Sequence, residues 1–325
     1  TEARTAASSR VPGASTTSAR KSGGPESWRI PARSRPASGE RAASRAAVGA
    51  VSRCRVADFC VRSASPESAT GAPATRAVTP ACSGPSWRLA WAASGALASR
   101  LGLSGVPVSA ETIALHTIFE LVRVTGARVH LSHVSSAAGV ALMRAAKAEG
   151  LPVTCDVTVN HVHLIDVDIG YFDAQYRLDP PLRQQRDREA IRAGLVDGTI
   201  DAICSDHTPV DDDEKLLPFA EATPGATGLE LFLSLTVKWA SEANVPLAKA
   251  LNRITSSPAD VLKLPAGRIA VGAVADLCVF DAHGHWRVEP RVLKSQGHNT
   301  PFLGYELPAR VRATIVAGHL AFEQR

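Results

Sequence analysis

TIDAICSDHTPVDDDEK, residues Thr199–Lys215, changes character partway along. Ile200–Cys204 is short and apolar, which reads as a buried parallel strand. Ser205–Pro209 is polar. Polar groups at the carboxyl end of such a strand stand where barrel enzymes keep their chemistry. An ordinary turn is the competing reading, because Asp, Thr and Pro are turn formers. Two strand ends upstream weigh against the turn.

Upstream, strand and helix patterns alternate. Leu97–Pro107 reads as a loop. Ser109 is placed to cap a helix whose apolar positions Leu115, Ile118, Phe119 and Val122 fall on one face. Gly126 ends that helix, and the strand Ala127–Leu131 delivers His133. A second helix turns Val140, Met143 and Ala146 inward and stops at Gly150. The strand Leu151–Val157 delivers His161 and His163, and Asp187–Val196 reads as a short helix leading into Ile200–Cys204. This alternation predicts a parallel α/β sheet or barrel. Asp179-Pro180-Pro181 interrupts it, since residues before proline avoid the helical region.

Two strands thus end in histidine and a third in Asp206. Neutral imidazoles and a carboxylate are the ligand types of a catalytic zinc with an open position. Such a cation lowers the pKa of water to about 7. Taken singly, each histidine reads more readily as a hydrogen-bonded structural residue, and spacing alone does not establish a metal.

The 325 residues contain enough apolar side chain for a sizeable core. No apolar run approaches the roughly 20 residues that cross a bilayer. The six cysteines form no CxxC pair, which argues against a disulfide framework or a zinc ribbon and for a reducing cytoplasm. The net charge of +5 conceals two kinds of sequence. Residues 1–90 hold 14 basic and 5 acidic side chains, whereas 91–325 hold 22 and 26. The first segment is rich in Ala, Ser, Arg, Pro and Gly and shows no apolar period. A transit peptide would be shorter and amphipathic. A nucleic-acid arm would carry interleaved aromatics or a repeated motif. Out-of-frame translation of GC-rich DNA is the reading preferred for 1–91, with generic disorder next.

From about Ala92 to Arg325 the chain resembles the dihydroorotase branch of the amidohydrolase superfamily. The motifs are HLSHVSS (His130–Ser136), DVTVNHVHL (Asp156–Leu164), LDPPLR (Leu178–Arg183), SDHTPVDDDEK (Ser205–Lys215), PFAEATPGATGLE (Pro218–Glu230), AGRIAVGAVADLCVFD (Ala266–Asp281) and GHNTPFLGYELPARVRATIVAG (Gly297–Gly318). The resemblance implies the C-terminal half of a metal-dependent (β/α)8 barrel over 92–264 and part of a small β-domain over 265–325. It implies hydrolysis of a cyclic amide, dihydroorotate, in pyrimidine biosynthesis, with zinc as cofactor. His133 and His161 would be metal ligands on the fifth and sixth strands. Asp206, on the eighth, would be both ligand and general base. Asp179 and the Pro224-Gly225 loop would face substrate.

The sequence also departs from the family. No histidine precedes His116, so the HxH metal pair is missing, as are the fourth-strand bridging group and the arginine and asparagine that grip the substrate carboxylate. Asp179 replaces the usual asparagine, and Val210 stands where many members have a substrate-binding histidine. Some members without the metal pair are non-catalytic partners of aspartate carbamoyltransferase, which is the alternative function. This chain itself is expected to be inactive and, with half a barrel's strand edges exposed, prone to aggregate.

In the tail, Thr227–Glu230 reads as a capping box opening a helix through Trp239, with Phe232, Leu235 and Trp239 on its core face. Ser257–Asp260 reads as a second helix start with Pro258 at the first helical position. Ala275–Phe280 and Val311–Val316 read as strands, Asp211–Asp213 as a solvated loop, and His283, His285, His298 and His319 as surface or structural.

Overall fold

The computed structural model describes the backbone of residues 76–78 and all of residues 92–324. The expectations for 1–91 therefore fall almost wholly outside the described residues. The first described piece is a short strand, β1 (Arg76–Val78).

The alternation expected from 108 onward is present as β4 (Val129–Leu131), α3 (Ala137–Ala148), β5 (Val153–Thr158), α4 (Val159–His163), α5 (Gln185–Asp197) and β6 (Ala202–Cys204). Before it come β2 (Ala92–Ala93), α1 (Ala96–Leu101), β3 (Gly105–Val106) and α2 (Val108–Thr125). The main sheet is parallel, in the order β1-β4-β5-β6. The residues of β4, β5 and β6 are largely buried, with Leu131, Cys155 and Val157 fully enclosed. That burial explains why the strands read as apolar runs rather than alternating ones. Val140, Met143 and Ala146 of α3 meet Leu115, Phe119 and Val122 of α2 in the same core as these strands. Gly194 lets α5 approach closely: a Cβ there would lie 3.1 Å from Ile200 and Val140 side-chain carbons.

Several local expectations are corrected. Leu97–Pro107 is not all loop; it contains most of α1 and β3, and β3 pairs in parallel with β2. Ser109 does not cap α2, because Pro107 holds the cap position with extended backbone and the helix has begun by Val108. The Thr227–Glu230 capping box does not form. The helix α6 (Phe232–Glu242) starts later, the Thr227 hydroxyl donates to the Asn299 carbonyl, and the Glu230 carboxylate accepts from the Lys294 and Ser295 N–H groups. Helix α7 (Leu247–Asn252) precedes α8 (Ser256–Leu262), in which Pro258 is the third helical residue. Gly126 does end α2, with φ 65° and its N–H returned to the Val122 carbonyl.

The C-terminal sheet is antiparallel, β7 (Leu277–Arg287), β8 (Glu306–Val316) and β9 (His319–Glu323), and its strands run longer than expected. It is tied to α6 through Ser234, whose hydroxyl donates to the Ala309 carbonyl and accepts from the Trp286 indole N–H. Among the described residues, no helix is long and apolar enough to cross a membrane.

Candidate functional site

The parallel sheet aims three strand ends at one place. His133 follows β4, α4 follows β5, and Asp206 follows β6. The resemblance puts the strands of His161 and Asp206 two apart in the barrel; here β5 and β6 are direct ladder neighbours, and 174–184 between them forms a single 3-10 turn and loop.

His133 Nε2 lies 3.9 Å from Asp206 Oδ1. Both residues have left-handed backbones, φ 61° and 46°. Non-glycine residues in that region cost of order 1–3 kcal/mol and persist where the surroundings impose them. At His133 the constraint is visible: its N–H donates to Asp156 Oδ1 at 2.7 Å. Asp156 Oδ2 accepts from His130 Nε2 at 3.0 Å, and His130 Nδ1 meets Thr154 Oγ1 at 2.9 Å. Burial alone would push Asp156 up, but the His130 bond, the nearby imidazoles and the His133 N–H outweigh it and hold the carboxyl below the usual carboxylate range.

Asp206 has the opposite balance. Burial pushes its carboxyl up to about 6; His133 opposes this, while Asp156 and Asp179 add to it. Asp179 is likewise raised by burial, against the pull of His133 and Arg177. Three carboxylates thus surround one imidazole.

His161 is held differently. Its Nδ1 meets Thr158 Oγ1 at 2.7 Å and its Nε2 donates to the Pro181 carbonyl at 3.3 Å. Burial lowers its pKa to about 4, so the ring is neutral. Both nitrogens are engaged within the protein, and His161 is not part of the described cluster of convergent donors. That cluster consists of His133, Asp156 and Cys204, one donor atom of each within 4.8 Å of the others.

The Pro224-Gly225 loop is fixed by Asn299. The Asn299 amide donates to the Thr208 and Gly225 carbonyls at 3.0 and 3.1 Å, and its oxygen accepts from the Val210 N–H. Gly225 has φ 137°, and a Cβ there would meet the Thr208 side chain at 2.6 Å, so glycine is required. Asn299 therefore ties the Asp206 loop to the Pro224-Gly225 loop from a segment about 90 residues downstream.

A second brace went unread in the sequence. Glu111, 1% exposed, accepts from the N–H and hydroxyl of both Ser135 and Ser136. Ser136 caps α3 by accepting from the Gly139 N–H, and the Ala137 N–H goes to Asp187. Arg183 adds a bond from Nε to Ser135 Oγ. These contacts fix the segment that follows His133. A carboxylate on the apolar stripe Glu111, Leu115, Phe119, Val122 was the available signal, because a buried acid needs several donors.

The amidohydrolase family model matches residues 105–321. A dihydroorotase-like protein of Pseudomonas aeruginosa is 44% identical over 229 residues, 70% of this chain and 54% of that protein. A dihydroorotase of Anaeromyxobacter sp. is 42% identical over 232 residues, 71% and 54% of the two chains. Among solved structures, an L-hydantoinase from Arthrobacter aurescens aligns with TM-score 0.65 at 25% identity, covering 70% of this chain and 51% of its own. A D-hydantoinase from Thermus sp. aligns with TM-score 0.60 at 24% identity and shares the fold. The chain spans about half the length of the curated relatives it matches. With parallel strands that end in His133 and Asp206, and a family match across most of the described residues, the chain belongs to the amidohydrolase family.

Proposed function

We propose that this site is the C-terminal part of a cyclic-amide hydrolase of the dihydroorotase type. The observation that carries the reading is the approach of His133 to Asp206 from two strand ends of one parallel sheet. The substrate is dihydroorotate, opened reversibly to N-carbamoyl-aspartate in pyrimidine biosynthesis in the cytoplasm. The curated relatives named dihydroorotase support this assignment.

The donors fit a divalent cation in part. Among the described residues, neither the His133 ring nor the Asp206 carboxylate receives or gives a hydrogen bond, so both are free to bind one. His133 and Asp206 would hold zinc, with His161 as third ligand once its Nε2 releases the Pro181 carbonyl. When bound, zinc supplies the Lewis acidity that makes water a nucleophile at neutral pH. Asp206 is the general base: it takes the proton of the attacking water and returns it to the ring nitrogen as the amide C–N bond breaks. Asp179 and the backbone at Pro224-Gly225 line the substrate side.

Asp179 and Val210 favour a second reading. Asp179 puts an acid in place of the usual asparagine beside an anionic substrate, and Val210 is enclosed rather than presented to a ligand. Both suit a non-catalytic dihydroorotase-like subunit that binds and stabilises aspartate carbamoyltransferase.

No histidine precedes His116, so the first-strand HxH pair is missing from these residues, and the chain is expected to turn over neither dihydroorotate nor hydantoin. Assays of both substrates with added zinc test this, alongside co-elution with aspartate carbamoyltransferase on gel filtration. Turnover abolished by Asp206→Asn would overturn the expected inactivity and keep the assignment of the base. Turnover untouched by Asp206→Asn would overturn the site itself. Co-elution without turnover would favour the subunit reading.

A further inference from the structure

Cys204 ends β6, and neither the family resemblance nor the function proposed above gives it a role. The ladder pairs Asp156 with Ala202 and Thr158 with Cys204. Side chains two apart on a strand share a face, so Asp156 and Cys204 are diagonal neighbours on one face of the sheet. Cys204 Sγ is 3.6 Å from Asp156 Oδ1. The imidazole of His133 reaches the same point from the end of β4, and a donor atom of each of the three lies within 4.8 Å of the others.

The three groups are unequally committed. Asp156 is oriented from behind by His130, which is in turn held by Thr154. A ligating carboxylate held from behind by a hydrogen bond is how metal sites fix their donors. The His133 ring carries no hydrogen bond among the described residues. Donors around a four-coordinate zinc stand roughly 3.3–3.8 Å apart, given bonds of about 2.0–2.3 Å. Shifts of about an ångström would therefore close this cluster on a cation. A sulfur, a nitrogen and an oxygen suit zinc, whereas magnesium and calcium call for oxygen alone.

We propose that His133, Asp156 and Cys204 form a three-donor site for a thiophilic divalent cation of the zinc class, with Cys204 as a thiolate ligand. On binding, the Cys204 thiol releases its proton to solvent as the sulfur–metal bond forms. The inference rests on the assignment of His133 and Asp206 to a cation made above; the sulfur and the Asp156 oxygen join them in place of His161, whose ring nitrogens are both bonded within the protein.

Zinc-edge X-ray absorption on the full chain, loaded with one equivalent of zinc, tests it. The expected spectrum contains a sulfur neighbour at about 2.3 Å beside nitrogen and oxygen at about 2.0–2.1 Å. Cys204→Ser should remove the sulfur shell. A sulfur shell that survives Cys204→Ser would place the zinc on another cysteine and overturn the proposal. A shell of nitrogen and oxygen only, lost in His133→Ala, would overturn it while leaving the zinc assignment of the proposed function intact. A chain that retains no zinc would overturn both. Should Cys204→Ser fail to fold, cobalt replaces zinc in the unsubstituted chain. A sulfur-to-cobalt charge-transfer band that disappears in His133→Ala supports the proposal, and a band unchanged by that substitution overturns it.

Discussion

The parallel sheet β4-β5-β6 and the antiparallel sheet β7-β8-β9 are built on opposite terms. In the first, short strands of three to six residues are buried and clamped between helices and loops. In the second, strands of up to 11 residues lie largely open, and all five residues of β9 are exposed. Val279, Val316 and Leu320 each present about half their surface or more to solvent. The parallel sheet draws its order from apolar burial and buried polar braces, and the antiparallel sheet from its hydrogen-bond ladder and a few contacts to α6. His133, Asp156, Cys204 and Asp206 stand on the strands of the buried sheet or within two residues of their ends. Positions fixed by packing can hold side chains in costly backbone conformations such as those of His133 and Asp206.

The largest effect should come from the core of the parallel sheet. Leu131→Ala removes a fully buried side chain and should destabilise by about 3–5 kcal/mol in denaturant titrations. A loss below about 1 kcal/mol would mean that the sheet is not the stability centre. Glu111→Gln should come next. It keeps the shape of the side chain but replaces one acceptor oxygen by a donor facing the Ser135 or Ser136 N–H. A loss of about 2–3 kcal/mol is expected, with stability lost before the far-ultraviolet dichroism of the native state changes.

A pH experiment sharpens the contrast from the loop after β6. Burial pushes Lys215 down to about 8, and its ammonium donates to the Ala174 carbonyl at 3.0 Å. Below pH 8 both folded and unfolded chains carry this proton, and the penalty for a buried charge is complete. Between about 8 and 10.5 the unfolded chain binds more protons at this site, so its contribution to stability rises with pH. Relative to Lys215→Met, the unsubstituted chain should gain at most about 1.4 kcal/mol per pH unit in that window, reduced by whatever solvent screening remains. Thermal melts at pH 7.5 and 9.5 read the difference, and parallel pH profiles for the two proteins would contradict it. The smallest effect belongs to β9: Leu320→Ala should stay within about 0.5 kcal/mol. A large loss there would show that the antiparallel sheet is buried in solution.

The same contrast explains how much was legible in the sequence. The strand–helix alternation from 108 to 204 was readable because buried strands and amphipathic helices leave strong apolar patterns, and glycines such as Gly126 and Gly150 mark their ends. Helix starts were read poorly. Ser109 and Thr227 look like caps in isolation, but Pro107 had already set the first backbone, and Thr227 was taken by Asn299. His133 and Asp206 were legible as polar residues at strand ends. Asp156 and Cys204 were not, because a polar residue inside a strand carries no signal until the ladder register puts it on a face with others. Glu111 and Asn299 act across 24 and 91 residues, beyond any local pattern.

Calorimetric titration of zinc into the full chain, its His133→Ala variant and its Asp206→Asn variant tests the central claim most directly. About one zinc per chain is expected for the unsubstituted protein, with affinity reduced at least tenfold in either variant. Zinc binding of equal affinity in all three proteins would contradict a metal site at the ends of β4 and β6.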